Sequence, residues 1–257
     1  MEIKRWGSIT ARSGLFLIIA SLSLPAQSAT AATPKSVSVF AASSLQVQYI
    51  ALAKKFEAAH PGIKINISFG SSATLASQIA FGAPVDIFVS ADDLSMATAK
   101  SEFSKSTEYV TNRVVLAVPK DSKISKVRHL NGKVSWVQCA LTAPCGIAAA
   151  NALDAEGKVS SSPVSFEVSA SSTLAKLLSG SVDAAIVYKT DVIANSTEIR
   201  SIEFSNARAA STQYLIGLSK SSVEKKNRWA DRFLLYLKNS ASRKSLAKAG
   251  FEIDSLK

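Results

Sequence analysis

The sequence predicts an α/β fold of two lobes, each a mostly parallel sheet flanked by helices. A β-α-β-α-β alternation with short connections covers residues 37–90, which is typical of parallel strands joined by helical crossovers. A second alternation of this kind covers residues 120–210. Two apolar strands, Val114–Val118 and Tyr214–Leu218, stand before and after that second region. One strand leaving the first lobe and one returning to it predict a two-strand hinge.

The spacing of apolar residues defines the elements of the first alternation. Between Leu45 and Phe56 apolar residues recur at intervals of three and four, which is the helical period, and Pro61 ends that helix. Residues 63–69 alternate strictly between apolar and polar, which is the strand period. The predicted strands are 37–40, 63–69 and 86–90, and the predicted helices are 45–59 and a shorter one that carries Leu75 and Ile79.

The same criteria predict the rest of the chain. They give strands at 134–138, 166–168 and 184–187, helices from Gly146 and over 172–179, and two C-terminal helices, one with Trp229 and Phe233 and one ending at Gly250. A length of 257 residues is enough for two lobes with cores of their own. The predicted boundaries are 1–31 for a signal peptide, 32–114 plus 214–257 for the first lobe, and 115–213 for the second.

The N-terminal segment has the three parts of a signal peptide. Lys4, Arg5 and Arg12 supply positive charge, residues 15–24 are apolar, and the small residues of 26–31 fit cleavage sites. Ten apolar residues fall short of the roughly 20 that span a bilayer, which argues against a membrane anchor. We therefore expect an exported protein that works in the periplasm or otherwise outside the cytoplasm.

Cys139 and Cys145 are the only cysteines of the chain. In an oxidising compartment, two cysteines with five residues between them most often pair, so we expect a local disulfide. A zinc site is the alternative, but zinc takes four ligands, and the two histidines lie far away in sequence. A catalytic thiol would need a partnered base.

Four turns have the same local sequence pattern, in which small or hydroxylated residues stand at the start of a helix. They are Ala42-Ser43-Ser44, Gly70-Ser71-Ser72, Pro144-Cys145-Gly146 and Ser169-Ala170-Ser171. The start of a helix presents unpaired N–H groups and the positive end of the helix dipole, which bind anions. Serine is also an ordinary N-cap residue, so simple capping remains the alternative at each turn. The residues alone therefore suggest an anion site without proving one.

Several segments resemble the successive motifs of the bacterial molybdate-binding protein family. They are residues 39–45 (VFAASSL), 69–76 (FGSSATLA), 82–92 (GAPVDIFVSAD), 184–191 (AAIVYKTD) and 249–251 (AGF), in the family's order. The resemblance implies the type II periplasmic binding protein fold. It also implies capture of molybdate, and of tungstate, for the membrane permease of an ABC importer, with no cofactor and no direct cation site.

The resemblance also implies the binding residues. Ser44, Ser72 and Tyr188 match the residues that give hydroxyl donors in the family, and Cys145 and Ala170 match those that give backbone N–H donors. The family often has alanine at the position of Cys145, a change that keeps the backbone donor. Ala73 stands where relatives often have serine, which removes one further hydroxyl.

A site built only of donors suits a fully ionised oxyanion, which only accepts hydrogen bonds. Protonated phosphate would also need an acceptor, and none of the four turns carries a carboxylate. Asp86 and Asp92 lie near a turn, where a strand-end partner and a helix cap are the expected roles. Another oxyanion such as sulfate is the alternative ligand, because fold-level likeness does not separate these anions.

Other classes of function lack their motifs. His60 and His129 stand in no triad context, and there is no G-x-S-x-G elbow, P-loop or dinucleotide fingerprint, so we expect no enzyme. The net charge is +11, of which +2 belongs to residues 1–31. The basic residues are scattered along helix faces, where they are usually just solvated, so we expect no nucleic-acid partner. We expect a monomer.

Overall fold

The structure is a computed structural model of the chain, and it describes residues 35–103, 105–157 and 159–253. The predicted signal peptide, residues 1–31, lies outside the described residues. The strands are β1 (Ser36–Ala42), β2 (Lys64–Gly70), β3 (Ile87–Ser90), β4 (Ser106–Pro119), β5 (Trp136–Cys139), β6 (Ser165–Glu167), β7 (Ala184–Tyr188), β8 (Ile199–Ile202) and β9 (Ser211–Leu218). They join in the order β2-β1-β3-β9-β4-β7-β5-β6, with β8 paired to β4.

The described residues also form nine α-helices, six between the strands and three after the last strand. They are α1 (Gln46–Ala59), α2 (Ser72–Ala80), α3 (Asp93–Thr98), α4 (Pro144–Glu156), α5 (Ala170–Leu178), α6 (Lys189–Ala194), α7 (Lys220–Glu224), α8 (Arg228–Lys238) and α9 (Ser240–Lys248). A single 3-10 turn, Ser43–Leu45, joins β1 to α1.

Each end of the sheet contains three parallel strands. β1 pairs in parallel with β2 and β3, and β5 pairs in parallel with β6 and β7. We call β1–β3 with α1–α3 and α7–α9 the first half, and β5–β8 with α4–α6 the second half. In both halves the predicted alternation of strand and helix produces this arrangement, because a helical crossover returns the chain to the same edge of the sheet.

Two long antiparallel strands connect the halves. Residues 106–113 of β4 pair with β9, whereas residues 114–119 pair with β7 and β8. β4 therefore passes from one half into the other and changes partner between Arg113 and Val114. The sequence predicted only the apolar part of this strand from Val114, because residues 106–113 are largely polar and lack the pattern of a buried strand.

Each half buries both faces of its strands. Val39 and Val89 face α1, α8 and α9, whereas the alternate residues Phe40 and Phe88 face α2 and α3. In the second half one face packs on α4 and the other on α5 and α6. Such double coverage explains the almost continuous apolar runs of β3 and β7, since strands buried on both faces show no alternation.

Candidate functional site

The five sequence-predicted site residues line one cavity. Ser44 and Ser72 follow β1 and β2 in the first half, whereas Cys145, Ala170 and Tyr188 come from the second half. The carboxyl ends of parallel strands meet at one edge, and ligands of open α/β sheets bind there. The volume of the cavity is about 10 Å³, whereas binding sites for organic ligands have volumes of roughly 300–1,000 Å³. The cavity is therefore far too small for an organic ligand.

The Ser72 hydroxyl is held so that its proton is available to the cavity. Ser72 is 1% exposed, and its Oγ accepts a hydrogen bond from the Ala91 N–H at 2.9 Å. Because that contact uses a lone pair of the oxygen, the hydroxyl proton remains for a ligand. Ala91 follows β3, so three neighbouring strand ends build this part of the site.

The Ser44 hydroxyl contacts a residue that the sequence did not predict. Its Oγ lies 2.6 Å from the hydroxyl oxygen of Tyr214 on β9, and the Tyr214 ring is fully buried. Burial raises the pKa of Tyr214, so the phenol keeps its proton. When Tyr214 donates to Ser44, the Ser44 proton is left for an acceptor in the cavity. No local motif marks Tyr214, because it lies 170 residues from Ser44.

Replacing Tyr214 with phenylalanine tests this contact. We expect Tyr214→Phe to weaken anion binding roughly fivefold, since a neutral hydrogen bond contributes about 1 kcal/mol. Tyr109→Phe is the control, because Tyr109 is equally buried but donates to the Leu237 carbonyl in the core of the first half. Titration calorimetry measures the anion affinity of both variants. Equal affinities in Tyr214→Phe and Tyr109→Phe would contradict the role of Tyr214.

The Tyr188 hydroxyl is buried at the cavity, close to the Thr212 and Tyr214 side chains but without a hydrogen bond of good geometry in the described protein. The residue is 2% exposed and lines the cavity at the end of β7. Burial raises the pKa of Tyr188, so the group is a protonated donor. An unsatisfied buried polar group costs about 1–3 kcal/mol, and such groups in native proteins mark ligand or strain sites.

Three helices begin at the cavity without a side-chain cap. The N-cap residues Ala42, Ser71 and Ala143 make no capping hydrogen bond through their side chains. By contrast, α7, α8 and α9 begin away from the cavity and are capped by the side chains of Ser219, Asn227 and Asn239. Asp92 caps α3, which begins beside the cavity-lining residue Ala91. The first N–H groups of the uncapped helices thus have no side-chain acceptor at the N-cap, as a helix that binds an anion requires.

The start of α5 differs from the other three. Ser169 and Ser172 form a capping box, in which each side chain accepts from the other's N–H. Simple capping, which the sequence left open at all four turns, therefore applies here. The box uses the N–H groups of Ser169 and Ser172 and does not use that of Ala170, the predicted donor.

A disulfide fixes the predicted donor at Cys145. Cys139, at the end of β5, is bonded to Cys145 in the first turn of α4, which confirms the predicted pairing. Pro144 has no N–H, so Cys145 carries the first N–H donor of this helix. The bond thus holds that donor at the edge of the sheet.

The cavity contains donors but no ionised side chain among its described lining residues. Asp86 accepts from the Ser38 N–H and the Asn227 amide, and Asp92 caps α3, which are the structural roles expected for them. His60 bonds the Phe56 carbonyl, and His129 accepts from the Ser125 N–H, both away from the cavity. No metal-binding cluster of His, Cys, Asp or Glu occurs in the described ranges.

Asp191 is the carboxylate bonded directly to the site. It accepts a hydrogen bond from the Tyr188 N–H at 3.1 Å, and burial raises its pKa to about 7. Because the unfolded value is near 3.8, the folded protein binds more protons than the unfolded chain between these values, and stability falls as pH rises from about 4 to about 7.

This pH dependence is testable with an isosteric variant. We expect the free energy of unfolding in urea to be higher at pH 5 than at pH 7.5, and Asp191→Asn to reduce that difference while keeping the acceptor for Tyr188. An unchanged pH profile in Asp191→Asn would contradict a raised pKa at this position.

Helix starts and hydroxyls gathered from two halves around a small cavity define a solute-binding protein. The chain belongs to the bacterial extracellular solute-binding protein family, which residues 37–252 match. It is 31% identical to the molybdate-binding protein ModA of Mycobacterium tuberculosis, over 95% of this chain and 96% of that protein.

Solved structures agree with this fold. The periplasmic molybdate-binding protein of Azotobacter vinelandii superposes with a TM-score of 0.70 at 21% identity, covering 85% of this chain and all of that one. The sulfate-binding protein SubI from Mycobacterium tuberculosis gives 0.68 at 17% identity, covering 86% and 88%. The predicted two-lobed type II periplasmic binding protein fold is confirmed. In the described part of the chain, no helix has the length and apolar character needed to cross a bilayer.

Proposed function

We propose that this protein captures molybdate, and tungstate, outside the cytoplasm and delivers it to the permease of an ABC importer. The observation that carries the proposal is the convergence of five donor positions, including the unpaired Tyr188 hydroxyl, on one small cavity. The 31% identity to a molybdate-binding protein along nearly the whole chain supports the choice of anion. No reaction is part of this function, and the protein acts as a monomer.

The chemistry of the cavity favours a fully ionised tetrahedral oxyanion. Its described lining offers hydroxyl and N–H donors and no carboxylate that would accept a proton from hydrogen phosphate. Helix dipoles and oriented N–H groups stabilise a buried dianion without a counter-charge. Molybdate and tungstate share size and charge, so one site takes both.

The placement of the donors favours closure of two lobes around the ion. The first half supplies Ser44 and Ser72, and the second supplies Cys145, Ala170 and Tyr188, so only a closed form brings all five to one ion. We place the lobes at 32–114 plus 214–257 and at 115–213, because β4 changes partner at this boundary. The ion shifts the population to the closed form, which docks on the permease.

Titration calorimetry with molybdate, tungstate, sulfate and phosphate tests the proposal. We expect tight binding of the first two, far weaker binding of sulfate and none of phosphate. Tight sulfate binding would make this a sulfate carrier of the same fold. The absence of measurable binding of all four anions would refute oxyanion capture.

Ser72→Ala tests the donor in the first half. We expect a loss of about 1–3 kcal/mol in molybdate affinity, roughly 5- to 150-fold, as for a hydrogen bond to a charged group. Ser77→Ala is the control, because Ser77 lies on the same helix and bonds the Ala73 carbonyl at the protein surface. Equal affinity in Ser72→Ala and Ser77→Ala would remove Ser72 from the site.

A further inference from the structure

The positive charge of this protein is concentrated in its last three helices. Residues 220–248 contain nine basic and two acidic residues, a net charge of +7. Residues 35–219 contain 17 basic and 14 acidic residues, a net charge of +3 in a segment six times as long. The basic residues look scattered along the sequence, whereas the fold gathers six of these nine, those of α8 and α9, on one side.

That side is the outer surface of the layer formed by α1, α8 and α9. These helices cover one face of the first-half strands, and their exposed sides carry Arg228, Arg232, Lys244 and Lys248, spaced four apart on each helix. Exposed Lys54 and Lys55 of α1 extend the same layer. We call this exposed surface of α1, α8 and α9 the basic face.

The opposite side of the first half is less positive. α2 and α3 cover the other face of the strands, and residues 71–103, which contain them, hold four acidic residues and one basic residue, with Glu102 close to Lys220 and Lys225. A negatively charged plane therefore attracts the basic face more strongly than the side of α2 and α3.

Four basic residues of the basic face form no ion pair within the described part of the chain. The ion pairs found there involve Lys64, Arg113, Lys176 and Lys189, and none involves Arg228, Arg232, Lys244 or Lys248. The charge of these four residues is thus available to a partner.

Aromatic and apolar groups lie among these charges. The guanidinium groups of Arg228 and Arg232 lie 5.5 and 4.9 Å from the centre of the partly exposed Trp229 ring. Leu235 continues the stripe of Arg228 and Arg232 at helical spacing and is 67% exposed. Arginine or lysine with tryptophan and leucine is the composition of helices that rest on a lipid surface.

We propose that the basic face binds the headgroups of an anionic membrane surface. Charge complementarity selects anionic lipid, and the excess of positive charge on this side orients the protein on it. None of the residues of the basic face lines the oxyanion cavity, which lies at the strand ends. Binding to the membrane through this face therefore leaves the cavity residues uninvolved. This surface is independent of oxyanion capture.

Vesicle cosedimentation of residues 33–257, which form one compact unit, tests this proposal. We expect binding to vesicles of equal parts phosphatidylglycerol and phosphatidylcholine at 50 mM salt, loss of binding at 300 mM, and none to phosphatidylcholine alone. The triple variant Arg232→Gln, Lys244→Gln, Lys248→Gln should lower the partition coefficient roughly 100-fold, since each basic residue near the surface contributes about fivefold.

A matched triple variant separates position from net charge. The second triple variant carries Lys123→Gln, Lys126→Gln and Arg128→Gln. It removes the same charge from exposed residues between β4 and β5, and we expect it to bind vesicles like the parent protein. Both triples should keep the oxyanion affinity of the parent. Equal losses in the two triples, or no binding to the anionic vesicles, would overturn the proposal. Binding to polyglutamate without binding to vesicles would also overturn it and assign the face to an acidic protein.

Discussion

Gly146→Ala lowers the free energy of unfolding by about 3 kcal/mol or more and weakens anion binding in the same variant. A Cβ at this position would lie 2.0 Å from the Ala140 carbonyl oxygen and 2.7 Å from that of Cys139. Both are backbone atoms, so no side-chain rotation relieves the overlap, and overpacking of this kind costs about 1–3 kcal/mol and occasionally more. The first turn of α4 must therefore move, and the Cys145 N–H moves with it.

Thermal unfolding and calorimetry measure the two effects of Gly146→Ala. We expect the melting temperature to fall by roughly 6–12 °C, since 1 kcal/mol corresponds to about 2–4 °C in a protein of this size. Gly132→Ala is the control, because a Cβ at Gly132 meets nothing within 4 Å. A Gly146→Ala protein with the stability of Gly132→Ala would show that α4 does not approach Ala140 so closely.

Tyr188→Phe has opposite effects on stability and on binding. Without ligand, the variant no longer buries an unpaired hydroxyl, so we expect it to be more stable than the parent by about 1–3 kcal/mol. With ligand, it lacks a donor to a charged group, and molybdate affinity falls by about 1–3 kcal/mol. A tyrosine whose hydroxyl is hydrogen-bonded within the protein would lose stability on the same change.

A second unpaired tyrosine provides the control for Tyr188→Phe. The Tyr49 hydroxyl is also buried, in the core between α1 and the first-half strands, close to the Tyr109 hydroxyl but without a hydrogen bond of good geometry among the described groups. We expect Tyr49→Phe to raise stability in the same way and to leave molybdate affinity unchanged. Loss of affinity in Tyr49→Phe, or none in Tyr188→Phe, would contradict the assignment of Tyr188 to the anion.

Local patterns predicted the elements whose signal lies within a few residues. The alternation over 63–69 became β2, and the apolar spacing between Leu45 and Phe56 became α1. Local patterns did not predict β8, α3, α6 and α7, which are short and only partly apolar, or the first part of β4, whose polar residues pair with β9. A strand of that kind is specified by its partner, which lies about a hundred residues away.

The candidate site was predicted by resemblance more than by spacing. Ser71 and Ser169 both precede a helix and look alike in sequence, yet only Ser169 caps its helix through the side chain. That difference depends on side-chain geometry, which no local pattern encodes. Tyr214 was missed for a related reason, since its contact with Ser44 exists only after the chain has closed the sheet.

The order of the strands has a consequence for the time course of folding. The core of the first half joins β1 near the start of the described chain to Phe233, Leu237 and Leu246 near its end. Contacts so distant along the chain form slowly, because closing a long loop costs entropy before any contact is gained. One side of the N-terminal strands therefore stays uncovered until α8 and α9 have been synthesised, whereas the side packed on α2 and α3, and β5–β8 with α4–α6, are complete earlier.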